Sequence, residues 1–285
     1  MESKILVALE RIANSLEILA PKPSPAETND TATAFIWNPE GGYLSPVERV
    51  NRLDINLLKG IDGSMSTLFD NTKRFALGFP ANNALLWGAR GTGKSSLVKA
   101  VHGALLAEYP CLSLVEIHRE DIPTLTKLLP ILKKDTKRRF ILFCDDLSFE
   151  ESDESYKSIK TLLEGGIEGR PQNVIFYATS NRRHLMSRET SEKTGDDAIN
   201  SRETVEERIS LSDRFGLWLG FHNCDQETFI KIIDAYVEHF ELLGDRKTLH
   251  SKAVEWSVTR GARSGRVAWQ FIQDIAGKQG KLLDT

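Results

Sequence analysis

The stretch Gly88-Ala-Arg-Gly-Thr-Gly-Lys-Ser95 constrains this chain more than any other feature, because it fits every position of the pattern G-x-x-x-x-G-K-[ST] in a meaningful context. An apolar strand, Ala84-Leu-Leu-Trp87, runs into it, and a helical segment, Ser96-Leu-Val-Lys-Ala-Val101, runs out of it. A turn of this kind converges backbone N–H groups on one point, which its glycines permit because they reach conformations closed to a residue with a Cβ. The helix N-terminus behind the turn adds a field that favours anions. Gly88, Ala89, Arg90, Gly91, Thr92, Gly93, Lys94, Ser95 and Ser96 are therefore the residues expected to cradle a triphosphate. Lys94 would bring a point charge to the β and γ phosphates, and the Ser95 hydroxyl is the expected ligand of Mg²⁺.

Further along, Arg139-Phe-Ile-Leu-Phe-Cys-Asp-Asp146 reads as an apolar strand ending in two carboxylates. Mg²⁺ is a hard ion that takes oxygen ligands, and an aspartate at the carboxyl end of a strand can reach it directly or through water. Asp145 takes that role. Asp146 then stands where a general base must orient an attacking water, although its reach is shorter than that of a glutamate. Its alternative is a supporting carboxylate behind Asp145, and Glu150 is a weaker candidate for the base.

Composition bounds what surrounds these motifs. With 285 residues, 40% of them hydrophobic and 27% charged, the chain can build one α/β domain and a smaller appendage. A net charge of −3 argues against a surface devoted wholly to nucleic acid. Cys111, Cys144 and Cys224 form no C-x-x-C pair and the histidines no H-E-x-x-H, so neither a disulfide framework nor a transition-metal site is expected. Reduced thiols fit a cytoplasmic setting. No apolar run is long enough to cross a bilayer, and Glu2, Glu10, Arg11 and Glu17 are foreign to a signal peptide, so no membrane is expected.

Ile5, Leu9, Ile12, Leu16 and Leu19 share one helical stripe, so residues 1–20 are expected to form an amphipathic helix. It would either pack on its own domain or recruit a partner protein. Residues 21–33, with Pro21, Pro23 and Pro25, have linker composition. An α/β nucleotide-binding domain is expected over 34–222, with a helical pattern from Val47 to Phe79. Five apolar runs follow: Asn83 to Trp87, Leu112 to Ile117, Phe140 to Cys144, Val174 to Ala178 and Leu217 to Phe221. Alternating with helices, they predict a five-stranded parallel sheet covered by helices on both faces. Residues 187–207 are strongly polar and read as a surface insertion. Over 223–285, helices at about Gln226 to Leu242, Lys247 to Thr259 and Ser264 to Gln279 predict a small all-α lid.

Three later segments, Asn173-Val-Ile-Phe-Tyr-Ala-Thr-Ser-Asn181, Ser210-Leu-Ser-Asp-Arg-Phe-Gly216 and Gly261-Ala-Arg-Ser-Gly-Arg266, join the first two motifs in order. With them the chain from about Asn51 to Gln279 resembles the AAA+ ATPases, a branch of the P-loop NTPases. The resemblance implies that Asn181 polarises water near the γ-phosphate and that Arg214 reaches into a neighbouring subunit's site. Arg266 would act from the lid, with Arg263 the alternative. Gly60-Ile-Asp-Gly63 resembles the segment on which adenine rests, which makes Ile61 an apolar contact. Phe75-Ala-Leu-Gly-Phe-Pro-Ala-Asn-Asn83, Cys144-Asp-Asp-Leu-Ser-Phe-Glu150 and Leu211-Ser-Asp-Arg-Phe-Gly216 are similar to a bacterial AAA+ family with no settled role. The paired aspartates also resemble those of replication initiators and helicase loaders. No helix-turn-helix follows the lid, so sequence-specific DNA reading is not expected. His118 to Thr124 lacks an aromatic pore loop, which speaks against a polypeptide unfoldase.

Basic clusters at Arg182 and Arg183 and at Lys133, Lys134, Lys137, Arg138 and Arg139 are either a solvated rim or a phosphate-contacting patch. Together these features predict an ATPase that hydrolyses ATP with Mg²⁺ at a site shared between subunits of a homo-oligomer. Two alternatives stand beside it: a slow-hydrolysing, nucleotide-gated binding module, and a small-molecule P-loop kinase, against which Arg214 counts.

Overall fold

The computed structural model describes residues 11, 31–149, 155–165, 169–182, 211 and 213–283. Apart from Arg11, the expected N-terminal helix lies outside the described residues, as do most of the linker, the polar insertion, Arg183 and Glu150.

A seven-stranded sheet organises the chain. Its strands are β1 (Ala34–Asn38), β2 (Tyr43–Pro46), β3 (Ala84–Gly88), β4 (Leu112–Glu116), β5 (Arg139–Cys144), β6 (Val174–Ser180) and β7 (Leu217–Phe221). The spatial order is β2-β1-β4-β5-β6-β3-β7, and every neighbouring pair is parallel except β1 with β2. All of β6 is buried and only Arg139 of β5 is partly exposed, as expected of strands covered on both faces.

Helices α1 (Asp62–Ala76) and α2 (Lys94–Leu106) cover one face, where Leu68, Phe75, Leu97, Val101 and Leu105 meet Leu86, Ile141 and Ile175. A 3₁₀ segment (Arg119–Thr124), α3 (Leu125–Lys134) and α4 (Ser155–Glu164) cover the other, where Leu128, Leu132 and Ile159 meet Leu85, Leu142 and Phe176. The strands thus send alternate residues into two separate cores.

The expectation of five strands is corrected to seven, through an edge hairpin that the apolar-run pattern does not reveal. β1 and β2 are short, and Pro39-Glu-Gly-Gly42 separates them. Trp37 anchors the hairpin: it is 1% exposed and donates from its indole to Thr124 Oγ1 at 2.8 Å. The helical pattern expected from Val47 is corrected as well, since only one 3₁₀ turn (Ile55–Leu57) precedes α1. Leu53, Leu57 and Leu58 serve instead as apolar contacts for the cores around them.

Helices α5 (Gln226–His239), α6 (Arg246–Thr259) and α7 (Gly265–Lys278) carry a third core, with Phe229, Ile233, Phe271 and Ile272 at its centre. Each starts at a side-chain cap that takes a backbone N–H: Asp225 from Thr228, Asp245 from Thr248 and Ser264 from Val267. The Ser264 cap places Arg266 in the first turn of α7.

Candidate functional site

The turn between β3 and α2 is shaped by backbone packing. Gly88 pairs with Phe221 of β7, its φ is 136°, and a Cβ there would lie 1.9 Å from the Phe221 carbonyl oxygen. Gly93, at φ 96°, caps α2 from the left-handed region. Lys94 is the first residue of α2 and only 6% exposed. Its ammonium donates to the carbonyls of Gly88 (2.9 Å) and Ala89 (2.7 Å) and to Asn181 Oδ1 (3.2 Å). Burial pushes its pKa down; the carboxylates of Asp145 and Asp146 pull it up, and Arg266 and Arg90 push it down again.

Facing the turn are the carboxyl ends of β5 and β6. Ser95 Oγ donates to Asp145 Oδ1 at 2.5 Å, and Thr179 Oγ1 donates to the same oxygen. Asp146 stands in the left-handed region at φ 52°, and its carboxylate accepts from Asn181 Nδ2 at 2.5 Å. The Ser95 hydroxyl and the Asp145 carboxylate, in direct contact, form an all-oxygen donor pair suited to Mg²⁺. Serine donates its one hydrogen to the carboxylate, so its lone pairs stay available to a cation.

These groups open into a cavity of about 780 Å³ between the sheet and the three-helix unit. Arg90, Gly91, Gly93, Lys94, Ser95, Ser96, Asp145, Asp146 and Asn181 line it from the sheet side; Tyr236, Arg266, Trp269 and Gln273 line it from the helices. The N–H of Arg266 also donates to the Gly91 carbonyl at 3.1 Å. Arg263, its alternative, does not line this cavity, and its buried Nε has no hydrogen-bond partner. Ile61 and Thr92 line an adjoining cavity of about 560 Å³, with Leu58, Gly93, Tyr236 and Gly265 common to both. The Ile61 side chain lies 3.8 Å from where a Cβ on Gly93 would stand.

Arg214 stands apart from both cavities, with its Nε donating to Glu164 Oε1 at 2.5 Å. The basic cluster before β5 lies at the opposite end of that strand from Asp145. There Arg138 pairs with Asp135 and covers the Phe35 ring, while Arg139 covers the Phe75 ring.

Several lining residues escape sequence reasoning. Thr179 sits inside the strand quoted for Asn181, where it looks like any β-branched strand residue. Tyr236 and Trp269 occupy core positions of amphipathic helices, and nothing in that periodicity marks which of them face a cavity.

The doubly covered parallel sheet, the glycine turn opening α2 and the helical unit behind it define the AAA+ class of P-loop NTPases. Over residues 30–279 the chain matches, and belongs to, the family described as "Protein of unknown function (DUF815)". No curated protein matches it. Among solved structures it is similar to the Aeropyrum pernix ORC1 protein in complex with DNA, at 15% identity and TM-score 0.54, covering 80% of this chain and 63% of that one. The Aeropyrum pernix ORC2 protein, solved as ADPNP-ADP complexes, matches at 13% identity and TM-score 0.53 over 82% of this chain and 67% of that one. A Thermotoga maritima RuvB variant matches at 16% identity and TM-score 0.51, covering 80% and 67%. At these identities the likeness is one of fold.

Proposed function

We propose that this chain binds ATP with Mg²⁺ in the cavity between the sheet and the three-helix unit and hydrolyses it there. The observation that carries this is the convergence of Lys94, Ser95, Asp145 and Asn181 at the carboxyl ends of three strands, with Arg266 opposite them. The backbone N–H groups of residues 88–96 would hold the β-phosphate, and the Lys94 ammonium would exchange its carbonyl partners for phosphate oxygens. Ser95 and Asp145 would hold the magnesium ion, which when bound supplies charge neutralisation between the phosphates. Asp146 would take a proton from the attacking water, with Asn181 placing both the carboxylate and that water. Arg266 would meet the γ-phosphate from the lid. Ile61, in the adjoining cavity, would contact the base.

Arg214 is proposed to complete a neighbouring subunit's site in a homo-oligomer. Its present partner is Glu164, so leaving that ion pair would accompany assembly. A nucleic acid partner is not indicated, and residues 1–20 are proposed as the surface for a protein partner. Among the described residues no helix is long and apolar enough to cross a membrane.

The test is direct. Specific ATPase activity should rise with protein concentration, and Lys94→Ala should abolish both nucleotide binding and turnover. Turnover independent of concentration would remove the shared site, and undiminished ATP binding by Lys94→Ala would remove the site itself. A second function, that of a nucleotide-gated module with slow turnover, is favoured by one contact: Asn181 donates to Asp146 Oδ1 at 2.5 Å, which takes one of the two carboxylate oxygens away from an attacking water. Tight ATP retention with negligible turnover would select it.

A further inference from the structure

The turn that carries the two carboxylates after β5 is held by one residue of the neighbouring strand. Thr179 is 1% exposed and makes three contacts with the turn that carries Asp145 and Asp146. Its hydroxyl accepts the N–H of Asp146 at 2.9 Å and donates to Asp145 Oδ1, and its carbonyl accepts the N–H of Leu147 at 2.7 Å. The direction of the hydroxyl follows from chemistry: a backbone N–H can only donate, so the threonine oxygen must accept there, and its single hydrogen is left for the carboxylate.

Two consequences follow. Asp145 Oδ1 receives both Thr179 and Ser95, so both lone pairs of this oxygen are engaged by donors. Asp146 meanwhile holds a left-handed backbone, φ 52°, that a residue with a Cβ seldom adopts, and its N–H is tied to the same hydroxyl. One side chain therefore orients the carboxylate nearest Ser95 and fixes the backbone of the carboxylate nearest Asn181.

We propose that Thr179 is a positioning residue for the ATP site, its hydroxyl tying the carboxylate of Asp145 to the backbone that carries Asp146. The role rests on the proposed Mg²⁺-dependent ATP site and adds to it a residue that acts through Asp145 and Asp146 rather than as a ligand of the metal. Partners that orient a metal's ligands typically change metal affinity or activity about 10- to 100-fold when removed.

The experiment is calorimetric titration of full-length protein with ATP in EDTA and with ATP in Mg²⁺, on the wild type, Thr179→Val, Thr179→Ala and Thr179→Ser. Valine keeps the shape of threonine and loses only the hydroxyl; serine keeps the hydroxyl. Thr179→Val should match the wild type for ATP in EDTA, because Lys94 and the glycine turn are untouched. It should lose about 10- to 100-fold of the affinity that Mg²⁺ adds, and Thr179→Ser should restore most of it. A Mg²⁺ gain in Thr179→Val equal to the wild type's overturns the proposal, and so does a serine variant as impaired as valine. Folding, read by circular dichroism, that is lost in both Val and Ala variants but kept in Ser marks a purely structural hydroxyl and overturns it too. A wild type that binds no ATP in Mg²⁺ is a different result: it removes the site itself.

Discussion

His102 sits on the buried face of α2 with no exposed surface, and neither ring nitrogen meets the geometry of a full hydrogen bond, although the backbone of Leu112 and Thr33 lies close enough to act on the ring. Burial pushes its pKa from 6.5 down to about 4; the backbone of Leu112 and Thr33 offsets part of this, and Arg52 adds repulsion. The folded chain therefore holds a neutral imidazole where the unfolded chain takes up a proton. Because the folded value is the lower one, its contribution is fully present above about pH 6.5 and is lost as the pH falls toward 4. Each pH unit between those values is worth about 1.4 kcal/mol, so roughly 3 kcal/mol of stability should disappear across the window. That is a large part of a domain's usual margin of about 5–15 kcal/mol. Urea unfolding of the wild type and His102→Leu at several values between pH 7.5 and 4.5 measures it. The leucine variant should show a flatter dependence, gaining stability relative to the wild type as pH falls. Parallel curves would refute the reasoning, since the carboxylates titrate equally in both proteins.

Two further outcomes follow from the geometry of the cavity. Gly88→Ala should cost about 3 kcal/mol or more, because its Cβ would meet the Phe221 carbonyl at 1.9 Å and both atoms belong to backbone that cannot swing aside. Scanning calorimetry should register a clear fall in Tm, and an unchanged transition would contradict the packing of β3 on β7. Arg266→Ala should weaken ATP binding about 10- to 100-fold, the loss of one charge-assisted hydrogen bond, while leaving the fold intact. An unaltered dissociation constant in calorimetry would take Arg266 out of the site.

How far the sequence reveals this molecule depends on whether a signal is local. The glycine turn and the strand ending in Asp145 and Asp146 were legible because motif, strand and helix lie next to one another along the chain, and the structure brings them to one cavity with Asn181 and Arg266. The hairpin of β1 and β2 was not, since edge strands are short and their partners distant: β1 pairs with β4, on the far side of α1, β3 and α2 in sequence. Ile61 lies in an adjoining cavity rather than the main one, a distinction only packing decides. Thr179 was illegible for a further reason. A threonine in a strand is what β propensity alone would place there, so its role is written only in which atoms of the next strand it meets.

The two sides of the cavity rest on different cores. Its sheet side is tied to two cores: β3, β5 and β6 are pinned between helices on both faces, and the Thr179 contacts extend that rigidity into the turn carrying the carboxylates. Its helical side rests on a separate core, with Arg266, Trp269 and Tyr236 held by α5 and α7. The two sides touch at the turn itself, where the Arg266 N–H bonds the Gly91 carbonyl and a Cβ on Gly91 would stand 2.9 Å from that of Arg266. The backbone of the proposed phosphate turn is thus the surface against which the first turn of α7 leans. A change in that backbone on binding an anion would be felt at α7 before it reached the sheet, because α7 belongs to the smaller core and the sheet is packed from both sides.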